Sequence, residues 1–273
     1  MRGVRTLRAY LLAAHAGPTV AVTAVTGLLA LDVGRGPGGI AWAASAMFAG
    51  QLSVGWSNDW IDRDRDREAA RQDKPLVRRD LPDRALGRAA LIALAVALAL
   101  SFGSGWRAAA AHAVALGAAW SYNIVLKRTP VSVVPYVVAF GLLPAFVVLG
   151  LPGHPWPAWW LVAAGSLLGA GAHFVNVLPD LADDALFGIR GLPHRLGAQT
   201  SAVTGALLLA AAAVVLALGP PGPPGVAGWL CLGLGIAVAA VVTAVAARGG
   251  DQRLPFRLCL AVAAADVLLL ILR

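Results

Sequence analysis

The sequence predicts an all-α polytopic membrane protein, with about nine transmembrane helices around a central cavity. Three observations carry that prediction. The chain is 59% hydrophobic and only 13% charged, whereas a soluble domain carries roughly 25% charge. Apolar stretches of about 20 residues, the length needed to cross a bilayer as a helix, recur along its whole length. The basic residues gather in alternate connections between those stretches.

Spans are expected near 16–33, 38–58, 83–103, 107–126, 131–150, 157–179, 199–219, 225–247 and 254–272. The opening MRGVRTLRAYLLAAHAGP reads as the lead-in to the first span and not as a cleaved signal peptide, because its apolar run is short. GRGPGG (34–39) lacks the Lys-Ser/Thr of a phosphate loop and reads as a plain connection. GPPGPPG (219–225) is a single collagen-like copy and reads as a tight turn. Gly165 and Gly169 fit close helix packing through small residues. His112, His173 and Asp266 fall inside spans, where polar groups face the bundle interior. His112 reads as a packed, hydrogen-bonded residue, His173 as either that or support for a site one turn away, and Asp266 receives no role. Cys231 and Cys259 lie in apolar segments without metal-binding spacing, so neither a disulfide nor a zinc site is expected. The chain reads as one domain, 1–273, in two pseudo-repeated parts of about 1–126 and 127–273.

Charge placement orients the spans. The N-terminus and the 2–3, 4–5, 6–7 and 8–9 connections hold 19 of the 22 Lys and Arg; the opposite side has only Arg35, Arg107 and Arg273. Positive residues mark the cytoplasmic face, so the N-terminus is expected inside, in the cell membrane. The net charge of +8 therefore belongs to membrane topology and not to nucleic-acid binding. No obligate protein partner is evident.

One spacing appears twice. Asn58, Asp62 and Asp66 in SNDWIDRDRDR, and Asn176, Asp180 and Asp184 in NVLPDLADD, both read N-x3-D-x3-D. Residues i, i+4 and i+8 form one narrow stripe on a helix. Each copy lies at the cytoplasmic end of an apolar run, at spans 2 and 6. A single copy, with Asp59, Asp64, Arg63, Arg65 and Arg67 interleaved or adjacent, reads as a solvated, salt-bridged loop. A second copy favours two acidic stripes around one pocket, and neither stripe is expected to have a full set of basic partners at helical spacing.

Carboxylate and amide oxygens without cysteine suit a hard cation such as Mg2+, which is typically held by one or two carboxylates plus substrate phosphates. Lys74, Lys127 and Arg128, with Arg63 and Arg190, are the basic groups available to an anion there. A polyphosphate head and a long hydrocarbon tail would match the acidic stripes and the apolar helices. An isoprenyl diphosphate has both.

NDWIDRDRD (58–66), DLADD (180–184), QDKPL (72–76), SYNIVLKRTP (121–130) with FGLLPA (140–145), and GIRGLPHRLG (188–197) resemble the UbiA superfamily of intramembrane prenyltransferases in order and spacing. The resemblance implies Mg2+-dependent transfer of an isoprenyl group from an allylic diphosphate to a small or lipophilic acceptor. It implies that Asn58, Asp62 and Asp66 hold one metal and Asp180 and Asp184 a second. It assigns the diphosphate to Lys74 and Lys127, with Arg63 and Tyr122 near, and leaves Asn176, Asp183, Arg128 and Arg190 as supporting groups. Arg8 reads either as a cation for a carboxylate-bearing acceptor or as a membrane anchor. The acceptor itself is not specified. Two rivals remain at this stage: a terpene cyclase on the same scaffold, and a transporter or cation channel with acidic mouths.

Overall fold

The computed structural model describes residues 2–181, 188–248 and 253–271. They are helical and, among the described residues, contain no strand. The helices are α1 (Arg2–Ala13), α2 (Ala16–Asp32), α3 (Pro37–Glu68), α4 (Asp83–Ser101), α5 (Trp106–Ile124), α6 (Val134–Val148), α7 (Trp159–Val177), α8 (Leu192–Leu196), α9 (Ala198–Leu218), α10 (Val226–Ala247) and α11 (Arg253–Ile271). Each expected apolar segment contains a helix. Asp83–Ser104, Trp159–Val177, Ala198–Leu218 and Val226–Ala247 are long and apolar enough to cross a membrane, and the bent pair Thr6–Ala13 and Ala16–Asp32 reaches that length and apolarity only when taken together, as a broken span or a re-entrant loop. Val134–Val148 is apolar but shorter.

The chain forms two compact units, residues 1–124 with 146–155, and residues 125–145 with 156–273. In the first, α3 packs against α2, α4 and α5. Pro37 opens it at a position where its missing N–H costs nothing, and it runs for 32 residues, about 48 Å at 1.5 Å per residue. That is longer than the ~30 Å of a bilayer's hydrocarbon core, and its charged residues, Asp59 to Glu68, are gathered in the last three turns. His15, in the left-handed backbone region, breaks α1 from α2, which bend by 65°. Ala9 and Ala13 of α1, with Leu76 and Leu81 of the segment after α3, pack with Leu86, Trp56 and Trp60. This cluster folds residues 69–82 back along α3.

In the second unit, α9 packs against α7, α10 and α11. Leu168, Val175, Ala206, Leu209, Val242 and Val262 form its buried core. Gly165 and Gly169 let α7 approach α6 closely, since an added Cβ would stand 2.5 Å from the carbonyl oxygens of Phe140 and Tyr136 respectively. The small-residue packing expected from the sequence is present.

The lead-in to the first expected span is itself helical over Arg2–Ala13. One expectation about a helix end needs correction. The second N-x3-D-x3-D does not lie on one α-helix: α7 ends at Val177 and Leu178–Asp180 is a 3-10 turn. Pro179 has no N–H to bond the carbonyl of Val175, four residues back, and the N–H of Leu178 closes onto that carbonyl instead.

Candidate functional site

The first acidic stripe is continuous. Asn58, Asp62 and Asp66 all lie on α3, and the two carboxylates are 2% and 1% exposed, which removes them from the solvated-loop reading. Asp59, three residues before Asp62 and seven before Asp66, falls on the same side and is also buried. The solvated network exists beside this group: Arg67 pairs with Asp64 and Asp83, and Arg63 with the same two acids. One stretch of charge therefore divides into a buried acidic face and an exposed ion-paired face.

The buried acids have basic partners after all. Arg65 Nη2 donates to Asp62 Oδ2 at 3.0 Å and to Asp66 Oδ1 at 3.2 Å, because a position three residues after one acid and one before the next can reach both. Lys74 Nζ donates to Asp59 Oδ1 at 2.7 Å, and His15 Nε2 lies 3.0 Å from the same oxygen. Asp59 Oδ2 is buried without a hydrogen-bond partner. Burial alone would raise the Asp59 carboxyl, but the His15 hydrogen bond and the Lys74 charge hold it below the usual carboxylate range. Burial pushes Asp66 above that range against the opposing pull of Lys74 and Arg65.

Asn58 is set by a neighbour on α5. Its amide nitrogen donates to Asn123 Oδ1 at 3.2 Å, while Asn123 Nδ2 donates to Ser57 Oγ at 2.9 Å and to the Val54 carbonyl at 3.0 Å. Engaging the Asn58 NH2 in this way fixes the amide with its nitrogen toward α5. Gly55 brings α3 against the α1–α2 junction; an added Cβ would stand 2.8 Å from the Ala14 carbonyl oxygen.

The other expected residues are placed as follows. Arg63 donates to the Trp60 carbonyl at 2.7 Å and belongs to the exposed network. Tyr122 is half-buried near the end of α5. Lys127 is buried in the 3-10 turn Leu126–Arg128, and Arg128 is exposed. Asn176 is exposed in the last turn of α7, and Arg190 is exposed. Asp183 and Asp184 lie outside the described residues, as does the side chain of Asp180. Among the described residues, no three His, Cys, Asp or Glu side chains are grouped to hold a metal.

The histidines act as packed hydrogen-bonding residues. His112 Nδ1 is 2.7 Å from Ser101 Oγ, and its ring stacks on Phe146 at 4.6 Å between centroids. His173 Nε2 is 2.9 Å from Ser132 Oγ, which also accepts the Leu192 N–H at 2.8 Å. Gly191 beside it is pressed against the Lys127 carbonyl, 2.7 Å from where a Cβ would stand. His173 and Ser132 thus seat the segment that follows the second acidic motif.

The sequence placed Asp59 and Arg65 only in a salt-bridged loop and did not single out His15 or Asn123. Asp59 and Arg65 carried a usable signal, their helical spacing from Asp62. His15 and Asn123 carried none, since they arrive from distant helices.

A family model for the UbiA prenyltransferase family matches residues 19–262. The chain belongs to the UbiA prenyltransferase family. The resemblance read from the motifs is therefore borne out, and the matched range takes in both compact units. Solved UbiA structures share the fold. A UbiA homolog from Archaeoglobus fulgidus bound to DMAPP and Mg2+ is 17% identical, with TM-score 0.69 over 96% of this chain and 99% of that one. A UbiA homolog from Aeropyrum pernix K1 in its apo form is 21% identical, with TM-score 0.68 over 93% and 96%. A digeranylgeranylglyceryl phosphate synthase is 15% identical, with TM-score 0.71 over 98% of each chain. No curated protein matches the sequence. At these identities the likeness to solved structures is one of fold.

Proposed function

We propose that this chain is an integral membrane prenyltransferase. It would transfer an isoprenyl group from an allylic isoprenyl diphosphate to a small or lipophilic acceptor, with Mg2+ as cofactor. The single observation that carries the reading is the buried pair Asp62 and Asp66, converging on one point of α3 in a chain of this family. The Archaeoglobus fulgidus homolog bound to DMAPP and Mg2+ supports the choice of ligand classes. The chain is read as one catalytic domain, 1–273, in two pseudo-repeated parts, and a single family match running across 19–262 agrees with one domain.

The residues fit the metal. Their donors are oxygens only, as a hard cation prefers, and the positive Arg65 Nη2 already bridges both carboxylates where a cation would bind. Asn58, Asp62 and Asp66 would hold one Mg2+, and Asp180 and Asp184 a second. Bound there, the metal supplies positive charge to a departing diphosphate. Lys74 and Lys127, with Arg63 and Tyr122, would bind the diphosphate oxygens and favour their developing charge. The bond between the allylic carbon and the diphosphate oxygen breaks, with its electron pair leaving on the diphosphate. A nucleophilic atom of the acceptor then bonds to that carbon and releases its proton. Asn176, Asp183, Arg128 and Arg190 are assigned to support. The Lys and Arg asymmetry supports a cytoplasmic N-terminus, nine spans in the cell membrane and a site opening toward the cytoplasm.

Mass spectrometry of products is the test. Purified protein receives Mg2+ and a panel of allylic diphosphates, with and without a host lipid extract. A prenylated acceptor plus pyrophosphate is expected only with the extract. A cyclised or hydroxylated product without any acceptor would replace the transferase with a cyclase. Uptake into liposomes without pyrophosphate release would replace both with a transporter.

A further inference from the structure

We infer that Arg65 is the resident counter-cation of the first acidic stripe, and that it exchanges from the two carboxylates to the diphosphate when metal binds. The inference rests on the metal-site reading above and adds a residue and a binding order to it. One nitrogen, Nη2, bonds both Asp62 Oδ2 and Asp66 Oδ1. The Arg65 side chain is only 16% exposed, and its partners are 2% exposed, so these pairs are little screened by water. Magnesium would be held by the same two carboxylates, Asp62 and Asp66, and would supply the positive charge that Arg65 now brings to them. A divalent ion held there would set like charge against the guanidinium and weaken its hold on both carboxylates. That repulsion favours release of Arg65 from them.

The released group still needs a counter-anion, because leaving a largely buried charge unpaired is costly. A guanidinium fork matches phosphate oxygens in geometry and charge. Arg65 is attached beside both metal-binding carboxylates, so diphosphate arriving with the metal reaches it directly. Metal alone has to displace Arg65 without replacing its partner, and metal with diphosphate does not. The two ligands should bind cooperatively, each raising the affinity for the other by the same factor.

The experiment uses the full chain in detergent micelles, comparing wild type with Arg65→Gln, Arg65→Lys and Asp62→Asn. Binding of Mn2+ alone is read from the free-ion EPR signal, and binding of labelled pyrophosphate is measured at saturating Mn2+. Arg65→Gln should bind Mn2+ alone about ten-fold tighter and pyrophosphate about ten-fold weaker, the equivalent of one charge-assisted contact in each direction. Arg65→Lys, which keeps the charge, should stay near wild type in the first measurement. Opposite shifts in one variant cannot come from a loosened fold, which would weaken both. If Arg65→Gln leaves both affinities unchanged, or weakens both, the exchange is refuted. If Asp62→Asn binds Mn2+ as wild type does, the metal-site reading itself fails, whatever Arg65 does.

Discussion

Removing Asp59 offers the most direct test of how Lys74 is held. Asp59→Asn keeps the shape of the side chain but removes the charge that faces both Lys74 and His15. At 2.7 Å, an effective dielectric of about 20 gives roughly 6 kcal/mol of attraction between Asp59 and Lys74. Desolvation takes back several kcal/mol of that, because the side chains are 2% and 12% exposed. A net coupling of about 1.5–3 kcal/mol is the expected remainder. The measurement is a double-mutant cycle of Asp59→Asn and Lys74→Met, followed by equilibrium unfolding in mixed micelles. Each single variant should lose stability, and the double variant should lose less than the two together, by that coupling. Asp59→Asn should also raise the KM for the allylic diphosphate, since Lys74 would no longer be held toward Asp66, whose charge it already feels. A coupling below about 0.5 kcal/mol, the level of an exposed pair, would refute the reasoning and leave Lys74 independent of Asp59.

Other outcomes follow from the same structure. Asp62→Ala and Asp180→Ala should each lower pyrophosphate release by at least about 10^2-fold while the protein stays monodisperse; normal activity in both would remove the two-stripe metal site. Asn123→Leu should cost about 2 kcal/mol of stability through lost buried hydrogen bonds and raise the Mg2+ concentration needed for half-maximal activity. An unchanged Mg2+ requirement would show that Asn123 does not set Asn58. Gly165→Leu should destabilise by about 2 kcal/mol or more, because a side chain would collide with the Phe140 carbonyl, which thermal unfolding in detergent will register. In a background lacking Cys231 and Cys259, Gln72→Cys should react with a membrane-impermeant thiol reagent only from the cytoplasmic side, and Pro223→Cys only from the other.

The sequence by itself determined what depends on neighbours in the chain. Helical order follows from long apolar runs, and the face shared by Asn58, Asp62 and Asp66 follows from a period of 3.6 residues. The close packing at Gly165 and Gly169 was legible for the same reason. The broken second stripe was also written there, in Pro179, whose missing N–H ends α7 before Asp180; treating that stretch as one helix overlooked it. Tertiary structure alone decided which distant groups the stripe would carry as partners. Lys74 reaches Asp59 because Leu76 and Leu81 pack against α1 and fold its segment back. His15 reaches the same oxygen from a helix break 44 residues away, and Asn123 meets Asn58 across 65. No local periodicity encodes such encounters, because they depend on how separate helices bury their apolar faces. Even Arg65, adjacent in sequence, bonds the acids only because burial turns Asp62 and Asp66 away from water, while Asp64 between them stays exposed and pairs with Arg63 and Arg67.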